Sequence, residues 1–408
     1  MNILFGKKYS SHRTFLLLFA VLLGLVTSRA LISIATIALF ANVLIDGQYR
    51  KTLQSFFKQN QLSVLGLLLG IVVLDFFIVG SFDVWLKEFT IKLPFLVFPL
   101  AIIHWKNLNK MTIYHLLSAF VILITISGGV VLLNFLLHFE YYTNSLKMAQ
   151  AIPTPHNHIR YSLLLALSTI TSLHLFIQKH TLWTKNRHWT WALTAVFSFV
   201  LLHILSVRSG LATLYVALAF YMIFYIWKNK KWKLGCVLGA LFFIVPFLAY
   251  KTIPSLQNKV GYMLYDLDQY RKGNVGENSD ANRLRSLEIG CTIAQENIWT
   301  GVGVGNIQQT VNDYYETHNP TVEAANRKLP HNQFLWILIE MGIFGLLTFV
   351  FVVFYPLFKI KWKDNPLYIC FWLILFLSFL VEATLEIQIG ITIFAFFNSL
   401  LLSLSRYE

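Results

Sequence analysis

TIYHLLSAFVILITISGGVVLLNFLLH, residues 112–138, decides the fold class, because it runs for 27 residues without one Asp, Glu, Lys or Arg. A helix crosses the hydrocarbon layer of a membrane with roughly 20 apolar residues, so this stretch is long enough alone. Runs of the same kind recur on both sides of it, at 14–28, 30–46, 62–82, 93–105, 159–178, 190–206, 211–227, 234–250, 332–358, 366–382 and 386–403. Only Ser28 and Arg29 divide the first two, and the short run at 93–105 begins beside Pro94. Apolar residues make up 56% of the chain and charged ones 13%, with a mean hydropathy of +0.61, so water is not its main solvent. The expectation is an all-α polytopic transmembrane bundle of about twelve helices.

The basic residues give the expected orientation. Lys7, Lys8 and Arg13 precede the first helix; Arg50, Lys51 and Lys58, then Lys106 and Lys110, follow in alternate loops. Lys179, Lys185 and Arg187 continue the pattern, as do Lys228, Lys230, Lys231 and Lys233, then Lys359, Lys361 and Lys363, and finally Arg406. The opposite loops hold far fewer, which places both termini in the cytoplasm of a cell membrane. The net charge of +14 then reads as topology and contact with anionic membrane lipid. A nucleic-acid partner is not expected, since the membrane splits these charges among separate loops. The first helix reads as retained, because no small-residue cleavage site follows it.

The chain divides into helices one to nine over 1–250, a large extracytoplasmic loop over 251–330, and helices ten to twelve over 331–408. The loop carries nine of the 19 acidic residues. Its apolar residues recur at helical spacing as Leu256, Val260, Met263 and Leu267, as Leu284, Leu287, Cys291 and Ala294, and as Ile307, Val311 and Tyr314. Short amphipathic helices lying on the bundle are expected there. RKGNVGENSD at 271–280 reads as a polar link and GVGVG at 301–305 as a flexible turn, with no strand before it to make a dinucleotide site. Internal repeats are not evident, which disfavours transporters built from duplicated halves. Cys236 and Cys370 fall in helices and Cys291 in the loop, so there is neither a disulfide framework nor a Cys-based zinc site.

Arg near mid-bilayer costs roughly 2.5–3.5 kcal/mol on insertion scales, so ionisable groups at the membrane rim need a reason. Four outer segments hold them: HNHIR at 156–160, VRSG at 207–210, NRLRSLEIG at 282–290 and LPHNQFLWILIEMGIFG at 329–345. Arg208, Arg283 and Arg285 face one compartment, and converging guanidinium forks match a diphosphate. A snorkelling Arg208 and a solvated helix face for Arg283 and Arg285 are the alternatives. His331 stands at the mouth of the tenth helix, where an imidazole of ordinary pKa near 6.5 suits a general base; the alternative is a capping residue. Glu340 lies nine residues on, about 13.5 Å along a helix, too far to orient His331, so any partner must come from another segment. His156, His158 and Arg160 line the same vestibule or belong to an ordinary interface. Asp266 and Asp268 have the spacing of a metal-binding pair, but such pairs often arise by chance and this one falls on an expected amphipathic helix.

In topology and in three segments the chain resembles the O-antigen ligase and polymerase family of bacterial envelope glycosyltransferases. VRSGLATL at 207–214 resembles the family's Arg-containing turn, and NRLRSLEIGCTIAQENIWTGVGVGNI at 282–307 its Arg-led helix with a Gly-rich turn. HNQFLWILIEMGIFGLL at 331–347 resembles its His-Asn motif, and KLPFLVFPL at 92–100 is a fainter match. The resemblance implies a metal-independent, cofactor-free GT-C enzyme of the bacterial inner membrane. It would take a glycan from an undecaprenyl diphosphate carrier at the periplasmic face and join it to a hydroxyl of lipid A–core. By motif, Arg208 and Arg283 would grip the diphosphate and His331 would deprotonate the acceptor for one inverting displacement. Arg285 has no clear counterpart.

A repeat-unit polymerase and a protein O-oligosaccharyltransferase share the donor and differ in acceptor. A transporter of the same lipid-linked glycan would need charges through the bundle, where Asp75 is the only acidic residue near mid-helix in the first half. A metal-dependent transferase using Asp266 and Asp268 would lose activity in EDTA.

Overall fold

The computed structural model describes residues 10–77, 81–105, 108–147, 150–180, 188–272, 279–318, 320, 322, 324 and 327–405. Lys7, Lys8, Lys106, Lys185, Arg187 and Arg406, and 273–278 of the polar link, lie outside them. Every described element is helical. Among the described residues, five helices are long and apolar enough to cross a membrane: Lys110–Leu137, His158–Ile177, Arg208–Asn229, Trp232–Thr252 and Gln333–Lys359. A sixth is counted if Arg29–Ile45 and Tyr49–Lys58, bent by 108°, form one broken span. Ser11–Thr27, Gly66–Phe77, Trp189–Leu205, Pro366–Val381 and Gln388–Leu404 are apolar but shorter.

Local chemistry explains where the apolar runs break. Ser28 is extended, with φ −155° and ψ 131°, and separates the first two helices so that they pack on each other. Arg13 Nε donates to Asn42 Oδ1 at 2.8 Å across that pair. The run at 62–82 ends early, as Gly66–Leu74 gives way to a 3-10 turn at Asp75–Phe77. The run at 93–105 forms an 11-residue helix, Pro94–His104, with Pro at its N-terminal position, where the missing N–H has no intrahelical partner to lose.

His158–Ile177 and Gln388–Leu404 form the centre, buried along nearly their whole length. Helices gain little hydrophobic drive against each other in lipid, so close packing and internal hydrogen bonds hold them. His174 Nδ1 and Tyr221 Oη lie 2.9 Å apart, and Tyr368 Oη donates to Asn398 Oδ1 at 2.8 Å. Trp232–Thr252 buries none of its residues. Its apolar surface all round is that of a lipid-facing helix at the bundle's edge.

The polar segment folds into helices Pro254–Arg271, Ser279–Glu296 and Ile307–His318. Leu256, Val260 and Met263 are half-buried as their spacing predicts. The second stripe is shifted: Cys291 is exposed, while Asn282, Ser286, Ile289, Gly290, Ile293 and Ala294 are buried. Small and polar residues four apart form the true seam, because the helix runs close to the next span. A Cβ on Gly290 would come within 2.8 Å of Pro330 and 2.9 Å of Leu335. On the third helix Tyr315, not Tyr314, is buried beside Ile307 and Val311.

The glycine turn is also not the flexible link expected from its sequence. Gly342 has φ +64° inside Gln333–Lys359, which breaks the helical ladder and frees backbone groups on each side. Val302 N–H donates to the Ile339 carbonyl and Gly303 N–H to the Glu340 carbonyl, both at 2.9 Å. Ile343 N–H donates to the Ile298 carbonyl at 2.8 Å, so the turn is docked into the break.

Candidate functional site

Asn332 caps the kinked helix: its side chain accepts from Leu335 N–H at 2.9 Å and donates to the Leu380 carbonyl at 3.1 Å. The cap satisfies an orphan amide of the first turn and fixes the entry of the chain, which leaves His331 just outside the helix. Its Nδ1 lies 3.2 Å from Glu382 Oε2, and 30% of its side chain is exposed. With Nδ1 carrying the proton toward the carboxylate, Nε2 keeps the lone pair that a general base needs.

Glu382 follows the Pro366–Val381 helix, and only 6% of its side chain is exposed. Arg160 Nη1 lies 3.3 Å from the same Oε2, and Arg160 Nη2 donates to the Ala383 carbonyl at 2.9 Å. Arg283 Nη2 reaches Oε1 at 3.4 Å. Burial alone would raise the Glu382 carboxyl. The hydrogen bond and charge of His331, with the Arg160 and Arg283 guanidinium groups, hold it below the usual carboxylate range.

The structure therefore brings together His331, Arg160 and Arg283 from three separate segments, around a carboxylate that the sequence reading did not single out. Glu382 was hidden as one acid at the end of an apolar run. The available signal was that such a residue at a membrane rim is itself costly and asks for a cationic partner.

Arg208 begins its helix at the level of Arg160. A Cβ on Gly210 would collide with Ser162 Oγ, so the two helices touch two residues beyond each Arg. Arg208 shares that end of the bundle. Arg285 is two residues from Arg283, about 200° round the helix at 100° per residue, and lies near Tyr315 instead. Burial raises the Tyr315 phenol, and the charges of Arg285 and Arg327 only partly offset that.

His156 is not drawn into the Glu382 group. Its Nε2 lies 3.4 Å from the Gly24 carbonyl, fastening the 150–157 segment to the first helix, and burial lowers its pKa despite that bond. His158, half-buried, opens the helix that carries Arg160. Asp268 pairs with Lys272 on its own helix, and no group of three metal-ligating side chains occurs among the described residues. Glu340 is turned away from His331, with Oε1 accepting from Gly305 N–H at 3.0 Å. Asp75 accepts from Val304 N–H, so the mid-helix acid holds the glycine turn.

Chemically, the group offers one imidazole with a carboxylate behind it and two guanidinium groups beside it. This suits removal of a proton from a neutral nucleophile next to an anionic leaving group. No curated protein matches the chain. Residues 193–350 match the family described as O-Antigen ligase, a stretch that includes Arg208, Arg283, Arg285 and His331 and stops short of Glu382.

Proposed function

We propose, for a chain whose residues 193–350 match the family described as O-Antigen ligase, that it transfers a glycan from undecaprenyl diphosphate to a hydroxyl of lipid A–core. The reaction takes place at the periplasmic face of the bacterial inner membrane, with both termini cytoplasmic. What carries this reading is the sharing of one buried carboxylate, Glu382, by His331, Arg160 and Arg283.

In this mechanism His331 Nε2 takes the proton of the acceptor hydroxyl. The oxygen attacks the anomeric carbon from the face opposite the carrier, and the sugar–phosphate bond breaks. Undecaprenyl diphosphate leaves with the electron pair, and the anomeric configuration inverts. Glu382 stabilises the imidazolium formed in this step, as a carboxylate behind a histidine base does. Arg283, with 36% of its side chain exposed, is free to swing from Glu382 toward the diphosphate. Arg208 supplies a second guanidinium, and Arg160, only 5% exposed, stays as the fixed counter-charge of Glu382. Charge that grows on the leaving diphosphate is met by preorganised donors, so catalysis needs no divalent ion. His156 anchors the 150–157 segment to the first helix.

The test is transfer by purified protein in EDTA, with undecaprenyl diphosphate-linked glycan as donor. Lipid A–core and a second carrier-linked unit are offered separately. Product on lipid A–core that disappears in His331→Ala is the expected result. Ladders of carrier-linked glycan would make the chain a polymerase, and product on neither acceptor would remove the transferase reading.

A further inference from the structure

Below the His331 group lies a second set of charges that the reaction itself does not use. Lys92 ends the Phe82–Lys92 helix, and 6% of its side chain is exposed. Its Nζ lies 3.3 Å from Glu88 Oε2, 3.3 Å from Glu386 Oε2 and 3.9 Å from Glu340 Oε2. Glu340 and Glu386 are 2% and 9% exposed. A cavity of about 20 Å³ beside them is lined mainly by Leu68, Phe95, Ile337, Met341 and Phe349, room for about one water. The ammonium is therefore the main neutralising group for these carboxylates.

Each carboxylate fastens a different piece of chain. Glu386 Oε1 accepts from Gln333 Nε2 at 2.6 Å, and Gln333 Oε1 accepts from Leu385 N–H at 2.6 Å. Gln333 is two residues after His331, and Glu386 is four after Glu382 across the 3-10 turn Thr384–Glu386. Asn332 adds the bond to the Leu380 carbonyl. Glu340 holds Gly305 of the docked turn. The two chain segments that carry the base and its carboxylate are thus clamped together one turn away from the pair itself, and the clamp ends on Lys92.

We propose that Lys92 is a positioning residue: through Glu386 and Gln333 its ammonium holds Glu382 and His331 in register. Buried carboxylates deprived of their counter-charge repel one another and open the clamp. Lys92 acts in this proposal through the clamp and not on the donor, so donor affinity is expected to stay unchanged. This rests on the reading of His331 as the base.

The experiment compares wild type, Lys92→Met, Glu386→Gln and the double variant in the transfer assay. Hydrogen exchange is followed over 331–335 and 380–387. Each single variant is expected to lose about 10²-fold in kcat, the scale of a misplacement near 1 Å, at unchanged donor KM. The double variant should fall no further than the worse single, because both act through one clamp. Exchange should quicken in those two segments and not in the central His158–Ile177 helix. An unchanged kcat in either single variant overturns the proposal, as does a raised donor KM at constant kcat or multiplicative losses. If Lys92→Met does not accumulate, Glu386→Gln decides by the same split. Wild-type protein that transfers to neither acceptor defeats the transferase reading, and the exchange data then decide the clamp alone: unchanged exchange defeats it.

Discussion

His331 Nδ1 and Glu382 Oε2 stand 3.2 Å apart, joining the mouth of the kinked helix to the link between the last two helices. In the proposed mechanism this contact orients the imidazole, with Nδ1 toward the carboxylate and Nε2 left for the acceptor hydroxyl. Glu382→Gln keeps the size of the side chain and removes its charge, so the imidazolium loses its counter-ion. A fall in kcat of about 10²–10⁴-fold is expected at constant donor KM, as for a triad carboxylate changed to its amide. Steady-state transfer kinetics measure it, and activity within a factor of a few of wild type would remove Glu382 from the mechanism.

His331→Ala removes the proposed base and should cost about 10²–10⁴-fold in kcat, the usual contribution of a general base. Arg283→Ala acts differently. In the proposed mechanism its partly exposed guanidinium meets the diphosphate, so kcat/KM for the donor should drop and Lys should restore it incompletely, lacking the planar fork. Equal rescue by Lys and Arg would count against a bidentate contact.

Glu382 also sets a dependence on pH. Its carboxyl is held below the ordinary value of 4.5, so the ionised form is favoured in the folded protein. The stabilisation is complete above the unfolded value and is lost as pH falls through the depressed folded value. The gap in Tm between wild type and Glu382→Gln, measured in detergent from neutral to strongly acid pH, should therefore stay open at neutral pH. It should close only below the ordinary carboxylate range. A gap that closes near neutrality would mean that the Arg160, Arg283 and His331 contacts do not hold in solution.

At Gly301, φ is +71° and an added Cβ would collide with the Glu340 carbonyl. Gly301→Ala therefore combines left-handed strain, about 1–3 kcal/mol, with a backbone clash. A clear drop in Tm is expected. Gly239→Ala is the control, since a Cβ there meets nothing within 4 Å on a lipid-facing helix. Equal Tm values for the two variants would refute the docked turn.

The membrane bundle was legible because run length alone separates a span from a soluble core helix, as residues 112–138 illustrate. His331 and Arg283 were legible as rim charges with a motif around them. Glu382 was not, because its contacts reach Arg160 from 222 residues away and His331 from 51, and pairing across helices leaves no local period. Lys92 was passed over for the same reason, even though KLPFLVFPL had drawn notice. The seam of Ser286, Gly290 and Ala294 was missed because apolar periodicity looks for large residues, while close helix approach selects small ones. The glycine turn misled in the opposite sense: glycines that suggest freedom in a sequence were required by one tightly bonded shape.

The docking of Val302 and Gly303 into the break at Gly342 carries a mechanical consequence. The helices of the polar segment are not loosely attached; through the glycine turn they are spliced into the backbone of a long apolar helix at its break. A displacement of the 301–305 turn would be passed to the helix that begins just after His331. A shift in that spanning helix would in turn reshape the aqueous surface. The polar segment and the mouth of the kinked helix thus share one lever.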